Sequence, residues 1–366
     1  MTEQKLDLVV VIMAGGVGTR FWPLSTNDIP KQFLNLFGDR TMLQKSFDRI
    51  SDLVPPERIL VLTNEAFVPI VSEQLPRIPA ENIIGEPMRR DTAAAVTLAA
   101  VLCRRRFGNP VIATLTADHL IEPVALFQET LLSAARRAAN GNALYTFGIE
   151  PTYPATGYGY LERGAQVAND DGNDDGLEHF KLLRFKEKPD LETALKYIES
   201  GRFYWNSGMF VWTADAILKE IEQHLPSHAK ALSGAAVFDQ TPQWGQAIRE
   251  AFGSLDRVSI DFGVMEKAKN VCCVASRFSW SDVGGWLALK SHLPEDEAGN
   301  CCLGKPVTLD ATDNLVFCED PDETIMLIGV KDLVIVRAGA GTLIAHKDRT
   351  EEVKKLVEAM EEESSE

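Results

Sequence analysis

The chain has 366 residues, 45% of them hydrophobic and 25% charged, which is enough to bury one large core and a smaller one. A formal net charge of −16 argues against a general nucleic-acid or anionic-membrane surface, because such partners need a basic footprint, so any phosphate-binding site must be local. No signal-peptide pattern opens the chain, the apolar run at 8–14 is too short to span a bilayer, and six cysteines without Cys-x-x-Cys spacing indicate a reducing cytoplasm.

The first predicted element is a buried strand that runs directly into a glycine-rich loop. Residues 9–12 are β-branched and apolar on both faces, as expected of a central parallel strand covered by helices on each side. Three glycines, which let backbone N–H groups come close to a ligand, follow at positions 15, 16 and 18. Because Arg20 and Lys31 add positive charge, this order predicts a polyphosphate-binding loop.

The loop differs from the two commoner glycine motifs. The dinucleotide fingerprint needs a third glycine where Phe21 stands, and the P-loop needs Gly-Lys-Ser/Thr, which does not occur near it. On the residues alone, a tight turn between strand and helix without a ligand remains an alternative.

Short apolar runs then alternate with helical stretches. Strands are predicted at 59–62, 111–115, 143–148 and 209–212. Helices are predicted at 41–50, 92–106 and 126–140, the first with an apolar stripe that belongs to the core. This alternation predicts the α/β class, with a Rossmann-like, mainly parallel sheet that has helices on both faces.

From about residue 300 the pattern changes to short β-like segments separated by Gly, Asp and Asn, which predicts a small C-terminal β domain. A terminal helix follows, which Asp348 and Glu351 open in a pattern like a capping box. Its apolar stripe consists of Val353, Leu356, Val357 and Met360. We expect this helix to dock on its neighbour or on a second subunit, which favours a homodimer or higher homo-oligomer.

Eight segments, in order, carry a resemblance to a known family. They are Met13-Ala-Gly-Gly-Val-Gly-Thr-Arg-Phe-Trp-Pro-Leu-Ser, Pro30-Lys-Gln-Phe-Leu, Gly85-Glu-Pro-Met-Arg-Arg-Asp-Thr, Thr116-Ala-Asp-His, Thr156-Gly-Tyr-Gly-Tyr, Phe185-Lys-Glu-Lys-Pro, Trp205-Asn-Ser-Gly-Met-Phe and Trp280-Ser-Asp-Val-Gly. The chain resembles the sugar-1-phosphate nucleotidyltransferases over nearly its whole length, and most of all the branch that uses GTP and mannose 1-phosphate.

The resemblance implies an enzyme that transfers GMP from GTP to α-D-mannose 1-phosphate, giving GDP-mannose and pyrophosphate by Mg²⁺-assisted in-line attack on the α-phosphorus. It implies a catalytic domain at 1–295 and, at 296–366, a short left-handed β-helix with the terminal helix. Another base or sugar, or a catalytically silent regulatory subunit that binds nucleotide sugars, remains an alternative. About 66 residues follow Asn300, which we expect to be too few for an appended isomerase domain.

The resemblance also assigns roles to particular residues. Asp118 and Asp282 are matched to the metal-binding carboxylates, although each reads equally well as a helix cap or a turn residue on its own. The catalytic set is Arg20, Lys31, Asp118, Lys188 and Asp282.

Two binding sets complete the assignment. The nucleotide set is Ala14, Gly15, Gly16, Gly18, Thr19, Arg20, Glu86, Arg90, Asp91 and Thr92. The sugar-phosphate set is Gly157, Glu187, Lys188 and Asn206. On the residues alone, Asp91 and Thr92 also read as a helix N-cap, and Lys-Glu-Lys at 186–188 also reads as a solvated charge run.

Overall fold

The computed structural model describes residues 6–16, 18–168, 175–320 and 322–364. Its strands are β1 (Leu8–Ala14), β2 (Ile59–Asn64), β3 (Ile83–Glu86), β4 (Val111–Thr116), β5 (Leu120–Glu122), β6 (Leu144–Ile149), β7 (Tyr160–Gln166), β8 (His179–Lys186), β9 (Phe203–Thr213), β10 (Val271–Ala275), β11 (Ser279–Ser281), β12 (Cys301–Leu303), β13 (Lys305–Leu309), β14 (Leu315–Cys318), β15 (Thr324–Ile328), β16 (Leu333–Ala338) and β17 (Gly341–His346). Its α-helices are α1 (Met42–Asp48), α2 (Val68–Gln74), α3 (Asp91–Phe107), α4 (Val124–Gly141), α5 (Leu191–Ser200), α6 (Ala214–His224), α7 (Pro226–Ala236), α8 (Trp244–Gly253) and α9 (Val353–Ser364).

The described chain divides into two compact units, each assembled from separate stretches. The first unit comprises Met1–Gly15, Ser46–Ala117 and Ile121–Trp280, and the second comprises Gly16–Lys45, Asp118–Leu120 and Ser281–Glu366.

A nine-stranded sheet forms the centre of the first unit. Its order is β3-β2-β1-β4-β9-β6-β10-β8-β7. Strand β1 pairs in parallel with β2 and β4, and β6 pairs in parallel with β10. Strand β9 runs antiparallel to β4 and β6, and β8 runs antiparallel to β10 and β7. Strand β7 also pairs with β9. The α/β class and the predicted strands are confirmed, within a sheet that is mixed because β8 and β9 run opposite to the other strands.

Helices cover both faces of this sheet, as the sequence predicts. On one face α3, α6, α7 and α8 share a core with Leu144, Phe210 and Trp212. Phe147, an odd number of positions from Leu144 on β6, lies on the other face, where its ring centroid is 6.1 Å from that of Phe127 in α4. Loops follow the carboxyl ends of β1 and β3. In open α/β sheets, ligands bind at these ends of the strands.

The second unit combines an N-terminal loop segment with the C-terminal strands. Strands β12, β14 and β16 stack in parallel, as do β13 and β15. Buried Asn300 and Asn314 continue this stack, since Asn314 Nδ2 donates to Asn300 Oδ1 at 2.9 Å. The predicted C-terminal β domain is confirmed as β-helix-like, while its left-handed sense stays a prediction of the resemblance.

Two hydrophobic clusters stabilise this unit, and the larger one joins the N-terminal segment to the C-terminal strands. Phe21, from the segment after the glycine loop, lies 5.2 Å from Trp286 between ring centroids, and Trp286 lies 5.1 Å from Phe317 of β14. The Trp286 indole nitrogen also donates to the carbonyl oxygen of Trp22 at 3.2 Å. The C-terminal strands therefore support the segment that follows the glycine loop.

The terminal helix begins later than the sequence predicts. The capping box expected at Asp348 and Glu351 is wrong, because a 3₁₀ turn occupies Lys347–Glu352 and the His346 ring accepts from the Asp348 N–H at 3.3 Å. Helix α9 starts at Val353. Val353 and Val357 pack into the core of the second unit, whereas Leu356 is 64% exposed and Met360 50% exposed. Half of the predicted stripe therefore docks on its own unit.

Candidate active site

Lys31 joins the two candidate metal-binding aspartates within the second unit. Its ammonium lies 2.8 Å from Asp118 Oδ2 and donates to the backbone carbonyls of Asp282 at 2.8 Å and Val283 at 3.1 Å. All three donors of the buried lysine are thus engaged. Burial opposes ionisation of Asp118, yet the charges of Lys31 and His119 hold the pKa of its carboxyl below the usual range. Asp118 is therefore a carboxylate at neutral pH.

Gly18 is needed for the position of Lys31. Its φ is +61°, a conformation that favours glycine, and a Cβ there would lie 2.5 Å from Lys31 Cβ and 2.9 Å from its backbone nitrogen. By contrast, a Cβ on Gly16 would meet nothing closer than Gln32 Oε1 at 4.0 Å. The loop around Gly16 is held by the Gln32 amide, which donates to the Gly16 carbonyl at 2.9 Å.

Backbone strain marks the segment after Asp282. Val283 has a φ of +48°, which is a genuine outlier for a β-branched residue. Such strain concentrates at functional sites, where the surrounding structure maintains it. Val283 is fully buried in the core of the second unit, and its carbonyl accepts from Lys31.

Arg20 reaches the same segment from the short 3₁₀ helix Thr19–Phe21. Its guanidinium donates to the Gly284 carbonyl at 3.3 Å and pairs with Glu351 at 3.1 Å. Both side chains of this ion pair are largely exposed, so the pair contributes little stability and leaves Arg20 accessible to an anion.

The candidate nucleotide residues of the first unit lie at the ends of β1 and β3. Ala14 ends β1, and its carbonyl accepts from the buried Thr63 hydroxyl at 2.9 Å. Glu86 ends β3, and a Cβ added to Gly15 would lie 3.8 Å from Glu86 Oε2. Burial raises the pKa of Glu86 to about 8, and Glu86 Oε1 has no hydrogen-bond partner among the described residues. The structure thus holds a neutral carboxyl beside the glycine loop.

The loop before α3 does not form the N-cap that its sequence suggests. Helix α3 begins at Asp91, whose φ is +59° and whose carboxylate pairs with Arg257 at 3.2 Å. The Thr92 hydroxyl accepts from the Ile260 N–H at 2.8 Å, and Arg90 Nε donates to the Phe252 carbonyl at 2.8 Å. These side chains therefore bind the end of α8 and the segment that follows it, and no side chain caps α3.

Three candidate sugar-phosphate residues lie around Gly159. A Cβ there would lie 2.5 Å from Glu187 Oε2 and 3.2 Å from Asn206 Cβ, so a larger residue would displace the Glu187 carboxylate. Lys188, with a φ of +45°, pairs with Glu187 at 3.0 Å while its side chain stays 59% exposed. Gly157 does not share this close packing, since a Cβ there would meet nothing within 4 Å. The Thr156-Gly-Tyr-Gly-Tyr motif therefore contributes Gly159, which the sequence analysis did not single out.

A second residue that the sequence analysis missed is Asp261. Its carboxylate accepts from Asn206 Nδ2 at 3.1 Å. Burial and the neighbouring charge of Glu187 raise the pKa of Asp261 to about 7. A single aspartate in the run Ser-Ile-Asp-Phe-Gly carries no local signal of this contact.

Comparison with known proteins identifies the family to which the chain belongs. The family described as nucleotidyl transferase matches residues 9–298, and the MannoseP isomerase/GMP-like beta-helix domain matches residues 304–360. The chain belongs to the nucleotidyl transferase family and is an enzyme of that class. Members of this family generally use a divalent metal.

Several relatives carry a more specific name. A mannose-1-phosphate guanylyltransferase of Klebsiella pneumoniae is 38% identical over 96% of this chain and 73% of its own length. One from Escherichia coli K12 is 39% identical over 98% of this chain and 74% of its own length. A crystal structure from Thermus thermophilus, named mannose-1-phosphate geranyltransferase, matches with a TM-score of 0.85 and 33% identity, covering 97% of this chain and all of that one.

Among the described residues, none of the helices combines the length and apolarity required to cross a membrane.

Proposed function

We propose that this chain transfers GMP from GTP to α-D-mannose 1-phosphate and releases pyrophosphate, giving GDP-mannose. The observation that carries the proposal is the contact of one buried lysine, Lys31, with both Asp118 and the backbone of Asp282. Membership of the nucleotidyl transferase family and the names of the relatives support the choice of base and sugar.

The metal that we propose is Mg²⁺, held by Asp118 and Asp282. Magnesium prefers one or two carboxylates together with substrate phosphates, and this pair of aspartates fits that preference. The ionised Asp118 carboxylate already faces a cation, the Lys31 ammonium, at 2.8 Å. When bound, the ion would neutralise charge on the phosphates and polarise the α-phosphate.

The remaining roles follow from charge and accessibility. Arg20 would bind phosphate oxygens of the nucleotide, because its partner Glu351 is exposed and easily exchanged for a ligand. Lys31 would orient the two aspartates and stay close to the triphosphate. Lys188 would bind the phosphate of the sugar. Glu187 would accept hydrogen bonds from the sugar hydroxyl groups, and the Asn206 amide would donate hydrogen bonds to them. We also assign the nucleotide to Ala14, Gly15, Gly16, Gly18, Thr19, Glu86, Arg90, Asp91 and Thr92.

Three further expectations belong to this proposal. The catalytic domain would occupy residues 1–295 and the β domain with its terminal helix 296–366. The exposed part of the α9 stripe, with Leu356 at 64% exposure, supports a homodimer or higher homo-oligomer. Six free cysteines, five of them buried, support a reducing compartment such as the cytoplasm.

A substrate matrix tests the proposal. Purified protein is given each of four nucleoside triphosphates with mannose 1-phosphate or glucose 1-phosphate in the presence of Mg²⁺, and pyrophosphate release is measured. We expect GTP with mannose 1-phosphate to react fastest, and EDTA to abolish the reaction until Mg²⁺ is restored. A different fastest pair would reassign the base or the sugar. No release with any pair, together with tight binding of GDP-mannose, would indicate the silent regulatory subunit.

A further inference from the structure

Asp261 stands at the start of an unusual turn beside the candidate sugar-phosphate residues. The turn Asp261–Met265 has π-helical geometry, which is rare and frequently found at functional sites. The Asp261 carboxylate accepts from Asn206 Nδ2 at 3.1 Å, so it contacts a residue assigned to the sugar phosphate. Nothing in the roles proposed above uses this carboxylate.

The Asn206 side chain contacts two polar groups. The Thr146 hydroxyl lies 2.9 Å from Asn206 Oδ1 and 3.0 Å from the Met209 carbonyl oxygen, and the Asn206 backbone N–H donates to the Gly159 carbonyl at 2.8 Å. The Asn206 Nδ2 group donates to the Asp261 carboxylate at 3.1 Å. The buried amide thus depends on Asp261 for one of its two side-chain partners.

Glu187 is buried and Asp261 is partly exposed, and the two carboxyls interact electrostatically. Burial is the main cause of the raised pKa of Asp261, and the charge of Glu187 adds to it, while Lys188 and the Asn206 bond oppose it. Glu187 Oε2 is buried and has no hydrogen-bond partner among the described residues. An unsatisfied buried carboxylate oxygen is costly, and a ligand hydroxyl that donates to it would remove that cost.

We propose that Asp261 is a positioning residue for the sugar: its carboxyl orients the Asn206 amide and, with Glu187, completes a polar surface that binds pyranose hydroxyl groups. This inference rests on the proposed function. A neutral Asp261 leaves one negative charge at this surface, whereas an ionised Asp261 adds a second charge beside Glu187. Because the sugar phosphate is itself an anion, we expect the KM for mannose 1-phosphate to rise as the pH passes through about 7.

Other charged groups lie on Glu266 and on helices α3 and α6, which contact the turn. Glu266, on the same turn, accepts from the Glu187 N–H at 2.9 Å and lies 3.7 Å from Lys186. Helix α3 contributes Asp91, which is paired with Arg257 at 3.2 Å. Helix α6 contributes Glu220 and His224, which lie 3.4 Å from each other.

Two variants separate the contributions of the hydrogen bond and the charge. Asp261→Asn keeps an oxygen that accepts from Asn206 but cannot ionise, whereas Asp261→Ala removes the acceptor. The control is Glu162→Gln, which alters another buried carboxylate; Glu162 lies on β7 and pairs with Arg184 and Arg202. For each protein, KM values for mannose 1-phosphate and for GTP are measured from about pH 6 to about pH 8.5, a range that brackets the pKa of Asp261, with the melting temperature as a check on folding.

We expect Asp261→Ala to raise the KM for mannose 1-phosphate about fivefold to tenfold, the scale of one lost hydrogen bond, with the KM for GTP unchanged. At the acidic end of that range, we expect Asp261→Asn to have the same KM for mannose 1-phosphate as the wild type. Toward the alkaline end, we expect the KM of Asp261→Asn to rise less than that of the wild type. The substrate's own phosphate also titrates near pH 6, so the difference between the wild-type and Asp261→Asn profiles is the informative quantity.

The proposal would be overturned if the KM of wild type and of Asp261→Asn for mannose 1-phosphate had the same pH profile. It would also be overturned if the Asp261 variants changed the KM for GTP as much as the KM for mannose 1-phosphate, or if Glu162→Gln changed the KM values in the same way. If Asp261→Ala does not fold, the Asp261→Asn profile alone decides. Failure of the proposed function is recognised separately, because the wild type would then release no pyrophosphate from GTP and mannose 1-phosphate. In that case direct titration of mannose 1-phosphate into wild type and Asp261→Ala decides, and equal binding by the two proteins would overturn the inference.

Discussion

Lys31 and Asp118 form an ion pair in which Nζ lies 2.8 Å from Oδ2. The side chain of Lys31 is only 8% exposed, so the ammonium has exchanged water for three protein acceptors. Removing one member of such a pair leaves the other as a poorly compensated charge. Lys31 therefore holds the Asp282 segment in place and also supplies positive charge. Its removal should change both the conformation and the charge of the site.

We expect Lys31→Ala and Lys188→Ala to differ in which substrate they weaken. Lys31→Ala should raise the KM for GTP, lower kcat and reduce the melting temperature, because the Asp282 segment loses its donor. Lys188→Ala should raise the KM for mannose 1-phosphate with little change in stability, since its side chain is 59% exposed. Steady-state kinetics for both substrates measure this split.

The control for Lys188 is Lys186→Ala, which removes a neighbouring exposed positive charge that lies 3.7 Å from Glu266. It should change neither KM by more than about twofold, as is usual for an exposed ion pair. Identical kinetic effects of Lys31→Ala and Lys188→Ala on both substrates would refute the proposed division.

Gly18→Ala should destabilise the protein, whereas Gly16→Ala should not. An added Cβ at Gly18 meets Lys31 at 2.5 Å in a left-handed conformation, while one at Gly16 meets nothing closer than 4.0 Å. Strain of this kind costs about 1–3 kcal/mol of unfolding free energy. Chemical denaturation of both variants measures the difference, and equal stability of the two would show that the Gly18 contact relaxes without cost.

Glu86 should make stability depend on pH. Its pKa is about 8 in the folded protein against 4.5 for a free side chain, so the folded state holds a proton that the unfolded chain releases in this interval. The stabilising effect of that proton is complete below pH 4.5 and is lost as the pH rises through about 8. We therefore expect Glu86→Gln to melt at a higher temperature than the wild type at about pH 8.5, with the difference shrinking toward about pH 5.

A second variant, measured by the same thermal scans, serves as a comparison. Asp261→Asn should remove a separate, smaller part of the pH dependence, which lies between pH 3.8 and about 7. Melting temperatures of wild type and Glu86→Gln that change in parallel across this pH range would show that Glu86 ionises normally.

The two halves of the α9 stripe should respond differently to a charge. Val357→Asp places a carboxylate among hydrophobic side chains of the second unit and should cost at least about 2 kcal/mol, because the charge loses its hydration there. Leu356→Asp alters a side chain that is 64% exposed and should leave the melting temperature almost unchanged.

Light scattering on the same proteins tests assembly. We expect the wild type to be at least a dimer and Leu356→Asp to shift it toward monomer. A monomeric wild type would limit the role of α9 to the stability of its own unit.

The sequence predicted the elements well because local patterns determine them. Residues 9–12, 59–62 and 111–115 are apolar on both faces and lie in adjacent parallel strands, and the glycine loop follows the first of these. Asp118 lies two residues beyond β4, so the sequence also predicts that it lies near the carboxyl end of that strand.

The missed features all depend on contacts between distant parts of the chain. Nothing in Pro-Lys-Gln-Phe indicates that Lys31 donates to the carbonyls of Asp282 and Val283. The glycine pattern predicts close approach of a ligand at Gly18, and it gives no sign of the close approach of Lys31 that the structure shows there. Asp261 and Gly159 became candidates only when folding brought them to Asn206 and Glu187. Positive φ at Val283 and Asp91 likewise reflects tertiary contacts that override local preference.

The central claim is that this chain catalyses nucleotidyl transfer through Asp118 and Asp282, and product formation by matched proteins tests it most directly. Wild type, Asp118→Asn and Asp282→Asn are purified identically, given GTP, mannose 1-phosphate and Mg²⁺, and their products quantified by mass spectrometry and pyrophosphate assay. We predict one GDP-mannose per pyrophosphate from the wild type and a loss of at least about 10²-fold in kcat for each variant, with melting temperatures showing that both variants fold. Near-normal kcat in either variant, or pyrophosphate without GDP-mannose from the wild type, would contradict the account.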